Sequence, residues 1–128
     1  MRVVLDTSVL LGPAPELGDA EVAISAMSLA ELHYGVLIAS TGATRSERLR
    51  RLGIIEKTFD ALPVDDAVAR EYGRLAAAVA EVGRQPRDRV ADLLIAATAA
   101  AHNAELWTRN AADFAGVEAL VAIRAVAS

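Results

Sequence analysis

Three apolar residues, Val3, Val4 and Leu5, lead into the polar triplet Asp6, Thr7 and Ser8, and Val9, Leu10 and Leu11 resume the apolar run. Residues Arg2 to Asp6 are mostly β-branched or apolar and too few for a helix, so they predict a short buried strand. Two prolines and two glycines between Gly12 and Asp19 mark a loop, and Glu21 to Ser25 predicts a second short strand. From Ser28 the spacing turns helical: Leu29, Leu32, Val36 and Ala39 share a face, and Glu31 follows Ser28 at the spacing of a capping box. A second amphipathic helix is expected from Thr44 to about Phe59, joined to the first near Gly42 and turning Leu49, Leu52, Ile55 and Phe59 inward.

Residues 61–64 predict a brief extended piece ended by Asp65. A long helix follows with Gly83 as its stop, then a loop at 84–87, then a helix from about Asp88 to His102 with Asn103 as candidate C-cap. Residues 104–108 predict a strand, 109–116 a turn or short helix, and 119–126 a last strand. Strands alternating with helices predict an α/β fold, a sandwich whose parallel sheet is covered on both faces.

With 128 residues, the chain has room for one domain spanning 1–128 and not for two ordinary ones. Its 54% apolar and 23% charged content places it with globular rather than disordered chains. The absence of cysteine excludes disulfides, thiolate metal sites and cysteine nucleophiles. The longest nearly apolar stretch, Leu93 to Ala101, falls far short of the roughly 20 residues that span a bilayer. Asp6 interrupts the first apolar run, which makes a poor signal peptide, so a soluble, cytoplasmic protein is expected. A net charge of -4 argues against a protein that coats nucleic acid by charge alone. Local basic patches remain, at Arg45, Arg48, Arg50 and Arg51 and at Arg84, Arg87 and Arg89.

Four acidic positions carry the candidate chemistry. Asp6 stands at the carboxyl end of the first strand, where open α/β sheets bind ligands, and the hydroxyls of Thr7 and Ser8 lie beside it. The structural alternative is that Asp6 caps a following helix. A capping box accounts for Glu31 without any chemistry. Asp92 is the sharpest anomaly, lying inside the apolar helical run "VADLLIAATAAA", where an unpaired charge would cost several kcal/mol on an order-of-magnitude scale. Asp88 and Arg89 share its helical face, so a solvated, salt-bridged stripe is the alternative. Asn110 and Asp113 follow the strand at 104–108, in a place equally suited to an ordinary turn.

Taken together these positions change the picture. Carboxylates about 5 Å apart repel by roughly 3 kcal/mol at an effective dielectric near 20, so a convergent cluster must be protonated or neutralised by a cation. Only oxygen ligands and the two histidines His33 and His102 are on offer, which suits Mg²⁺ or Mn²⁺ better than Zn²⁺. His33 sits on another helical face from Glu31, and His102 lies near a helix end.

The segments "VVLDTSVLL", "SLAELHYGV", "RVADLLIAATA" and "LWTRNAADFAG", in this order, resemble the PIN-domain family and in particular the VapC-type toxins of bacterial toxin–antitoxin pairs. The resemblance implies a PIN-like three-layer α/β/α sandwich with a short central sheet. It also implies a metal-dependent endoribonuclease whose catalytic and metal-binding residues are Asp6, Glu31, Asp92 and Asp113, with Mg²⁺ or Mn²⁺ as cofactor. Thr7, Ser8, Thr108 and Asn110 would be polar supports, and Arg45, Arg48, Arg84 and Arg87 candidate RNA contacts. The implied partners are an RNA substrate, a VapB-type antitoxin protein that blocks the cleft, and a second toxin subunit in a homodimer.

Three rivals are weighed against this. A phospho-aspartyl phosphatase of the haloacid-dehalogenase kind needs a second aspartate two residues after the first, and Ser8 stands there; Lys57, the only lysine, lies mid-helix. A catalytically inactive PIN-like binding module would keep the scaffold without activity, although none of the four carboxylates is lost. A DNA-cutting relative is disfavoured by the small size.

Overall fold

The computed structural model describes residues 1–127. Five strands, β1 (Arg2–Leu5), β2 (Glu21–Ser25), β3 (Asp60–Leu62), β4 (Glu105–Thr108) and β5 (Ile123–Ala125), form one parallel sheet in the order β3-β2-β1-β4-β5. The helices are α1 (Thr7–Leu10), α2 (Ala26–Leu37), α3 (Gly42–Thr58), α4 (Asp66–Glu81) and α5 (Val90–Ala101), with 3₁₀ turns at Pro86–Arg89 and Ala111–Phe114.

The period-2 alternation of a strand distributes the core between the two faces of the sheet. Val4 and Leu106 point to one side, where they meet Val68, Leu75 and Val79 of α4 and Leu93 of α5. Val3, Leu5, Ile24 and Trp107 point to the other, against α1, α2 and α3 through Val9, Leu32, Val36, Leu52 and Ile55. The result is the expected three-layer α/β/α sandwich. Fully buried Ala96, Ala97 and Ala99 give α5 a thin profile, so α4 and the sheet pack closely on it.

Four local expectations are corrected. The helix expected to open at Ser28 begins at Ala26, because Ser25 ends β2 and caps α2 at once, its hydroxyl accepting from the Met27 N–H at 3.1 Å. The capping box of Ser28 and Glu31 therefore does not form, and both residues lie inside the helix. Leu49 is exposed, because the buried stripe of α3 is confined to Leu52 and Ile55 in its carboxyl-terminal half. The last strand is shorter than residues 119–126: a turn with backbone bonds from Leu120 and Val121 to the Val117 carbonyl tucks Val117 and Val121 into the core. The helix expected from Asp88 starts as a 3₁₀ turn and becomes α-helical only at Val90. Asp65 caps α4, Gly83 follows it at φ +81°, and Asn103 beyond α5 takes a positive φ of 51°, as the stop signals predict.

Candidate active site

Because β1 and β4 are parallel neighbours with Leu5 opposite Trp107, both strands deliver their next residues, Asp6 and Thr108, to the same end of the sheet. The Asp6 N–H continues the ladder by donating to the Trp107 carbonyl at 2.9 Å. Asp6 occupies the N-cap position of α1, yet its side chain caps nothing. Its Oδ2 instead accepts two hydroxyl protons, from Ser8 at 2.7 Å and from Thr108 at 2.7 Å.

Those hydroxyls have little choice of direction. The Arg109 N–H donates to Ser8 Oγ and the Asn110 N–H donates to Thr108 Oγ1, each at 3.0 Å. With a backbone donor taking a lone pair on each oxygen, the hydroxyl protons are directed to Asp6. Asp6 is only 5% exposed and Thr108 is fully buried, so the carboxylate is held in one orientation.

Glu31 lies on α2, one turn beyond Ser28. The Thr7 hydroxyl sits 2.9 Å from the Ser28 hydroxyl and 2.7 Å from Glu31 Oε1, which binds the first residue of α1 to α2. Asp92 projects from the first turn of α5. Burial pushes its carboxyl from the ordinary 3.8 up to about 6, the charges of Asp6, Asp113 and Glu31 add to the rise, and Arg89 opposes it. Asp113, on the 3₁₀ turn after β4, accepts from Arg89 Nη1 at 3.2 Å, and the same nitrogen lies 3.7 Å from Asp92 Oδ2.

Residues 3–120 match the PIN domain. The chain belongs to the PIN-domain family. Ribonuclease VapC5 of Mycobacterium tuberculosis is 38% identical over 129 residues, a match covering 96% of this chain and 93% of that one. The crystal structure of VapBC-5, a toxin–antitoxin system member from Mycobacterium tuberculosis, superposes with a TM-score of 0.82 at 36% identity, over 99% of this chain and 98% of that one. FitAcB from Neisseria gonorrhoeae superposes with a TM-score of 0.75 at 30% identity, over 95% and 96%.

In this PIN domain the four sequence-predicted carboxylates face one another closely enough for three of them to raise the pKa of the fourth. Among the described residues, however, no three His, Asp or Glu side chains are gathered tightly enough to hold an ion among them. Thr7 donates to Glu31 and Ser8 and Thr108 donate to Asp6, whereas Asn110 reaches this group through its backbone N–H.

The arginines divide. Arg48 lines a groove of about 330 Å³ with Thr7 and Glu31, and it donates to the Gly35 carbonyl at 2.6 Å. Arg84 reaches the Ala112 carbonyl in the turn that carries Asp113. Arg45 reaches back to the Ala39 carbonyl at 3.5 Å, and Arg87 is exposed on its 3₁₀ turn. Two further residues matter that sequence reasoning did not place in the site: Ser28, absorbed by the capping-box reading, and Arg89, read only as a neighbour of Asp92. His33 pairs with Glu56 on the surface, away from the cluster. No helix among the described residues is long and apolar enough to cross a membrane.

Proposed function

We propose that this PIN domain is an endoribonuclease toxin that hydrolyses RNA phosphodiester bonds with Mg²⁺ or Mn²⁺ and is inhibited by a cognate VapB-type antitoxin. The observation that carries it is the convergence of Asp6, Glu31, Asp92 and Asp113 at the carboxyl ends of β1 and β4. The ribonuclease name of the VapC5 relative and the toxin–antitoxin character of VapBC-5 support the reaction class and the partner. A homodimer within the complex with antitoxin belongs to the same proposal.

The donor set fits a hard divalent cation. All four groups are carboxylates, and a guanidinium already stands in as the positive charge between Asp92 and Asp113. Mg²⁺ commonly keeps several of its waters, through which carboxylates can also hold it, so it does not require a closed protein cage. Asp6, Glu31, Asp92 and Asp113 would hold it. When bound, the cation supplies Lewis-acid polarisation of a phosphate oxygen and acidification of a water. Ser8 and Thr108 keep Asp6 aimed into the cleft, and Thr7 does the same for Glu31, so the carboxylates need not reorganise when RNA arrives. Glu31 or Asp92 accepts the proton of the attacking water on a carboxylate oxygen. Arg48, beside Glu31 in the groove, and Arg84, beside the Asp113 turn, would contact RNA phosphates.

Two observations favour a second reading, an inactive PIN-like binding module: no tight three-ligand group exists among the described residues, and Arg89 already pairs with two of the carboxylates. Cleavage of a total-RNA pool by antitoxin-free protein with Mg²⁺ or Mn²⁺ separates the two. Cutting that EDTA and Asp92→Asn both abolish establishes the nuclease. Folded protein that neither cuts RNA nor binds Mn²⁺ establishes the module.

A further inference from the structure

Arg89 is an unexpected residue for its position. It occupies the N-cap of α5, where Ser, Thr, Asp and Asn are favoured and where the positive end of the helix dipole opposes a cation. Its side chain makes no capping bond. It is drawn instead into the carboxylate cluster, about one third exposed, with a single nitrogen shared between Asp92 and Asp113. Every other ion pair among the described residues lies elsewhere: Arg2 with Glu21, His33 with Glu56, Arg50 with Glu47 and Arg74 with Glu71. Arg48, Arg51 and Arg84 donate to backbone carbonyls. Four carboxylates thus share one paired cation.

We propose that Arg89 is a tethered counter-ion of the cluster, seated between Asp92 and Asp113 in the metal-free chain and competing there with the divalent cation. This rests on the metal-dependent reading above. The competition follows from chemistry: a divalent ion needs the same carboxylate oxygens that Arg89 holds, and three positive charges in one small cleft repel. Arg89 therefore swings out when the ion enters. Its presence lowers cation affinity while relieving carboxylate repulsion in the empty site.

The test is a calorimetric Mn²⁺ titration of the antitoxin-free chain, wild type beside Arg89→Gln and Arg89→Lys, at fixed pH and ionic strength. Arg89→Gln is expected to bind Mn²⁺ about tenfold tighter, within the usual range of coupling between sites, while the charge-retaining Arg89→Lys stays near the wild type. Equal or weaker binding by Arg89→Gln overturns the proposal and leaves the metal reading standing. No binding by either protein overturns both. If Arg89→Gln does not fold, the guanidinium NMR signals of Arg89 in the wild-type chain decide: displacement on Mg²⁺ addition supports the exchange, and unchanged signals on a Mg²⁺-loaded chain overturn it.

Discussion

Thr108 Oγ1 and Asp6 Oδ2, 102 positions apart in the chain, lie 2.7 Å apart in a buried hydrogen bond. That bond joins the carboxyl ends of two adjacent parallel strands. Thr108→Val keeps the shape but removes the donor, so Asp6 loses one of the two hydroxyls that orient it. Supports of this kind are worth about 10- to 100-fold in metal affinity or activity, and the lost bond costs about 1–2 kcal/mol of stability. RNA-cleavage rates measured beside urea melts check both, with Ser8→Ala giving a smaller loss.

Asp92→Asn is expected to abolish cleavage and yet stabilise the metal-free protein above neutral pH. Because the folded-state pKa of about 6 lies above the ordinary 3.8, the Asp92 contribution is fully present below about pH 4 and is lost as pH rises through 6. The side chain is 27% exposed, so solvent screening trims the gain of the variant to about 1–2 kcal/mol at pH 8. Thermal melts in EDTA from pH 4 to pH 8 check it. The two curves should meet at the acid end.

Arg48→Ala should weaken RNA binding and lower the slope of log affinity against log salt by about 1, the signature of one lost phosphate contact. Arg45→Ala, at a residue that is not among those lining the groove that Arg48 shares with Glu31, should leave that slope unchanged. Binding of RNA to a cleavage-dead Asp92→Asn background across a salt series measures both.

Two glycines should answer alanine in opposite directions. Gly53, within α3, has open space where a Cβ would go, so Gly53→Ala stabilises by roughly 1 kcal/mol through helix propensity. Gly116 sits at φ +103° with Val82 Cγ2 only 3.0 Å from the same position, so Gly116→Ala destabilises by about 1–3 kcal/mol. Denaturant unfolding of both variants measures the difference.

The three-layer order of strands and helices was legible because a buried parallel sheet demands apolar runs and the covering helices demand a 3.6-residue stripe. Val3 to Leu5, Leu52 with Ile55, and the alanines of α5 each carry one of those periods. Asp6 and Asp92 were legible for the opposite reason, as charges set where a period calls for apolar side chains. Glu31 was obscured by its spacing from Ser28, since a local rule fitted as well as a catalytic one. Only the direct passage from β2 into α2, capped by Ser25, removed the local explanation.

By itself, then, the sequence determined most of the elements and their layering, which follow from local periodicity, and marked Asp6 and Asp92 as interruptions of it, whereas Glu31 and Asp113 stood out only through the family resemblance. The tertiary structure decided which distant groups meet: Thr108 with Asp6, Thr7 with Glu31, and Arg89 with both Asp92 and Asp113. Those pairings depend on strand order and on where each helix lies against the sheet. No spacing within one segment encodes such distances, because hydrogen bonds and charges act through space.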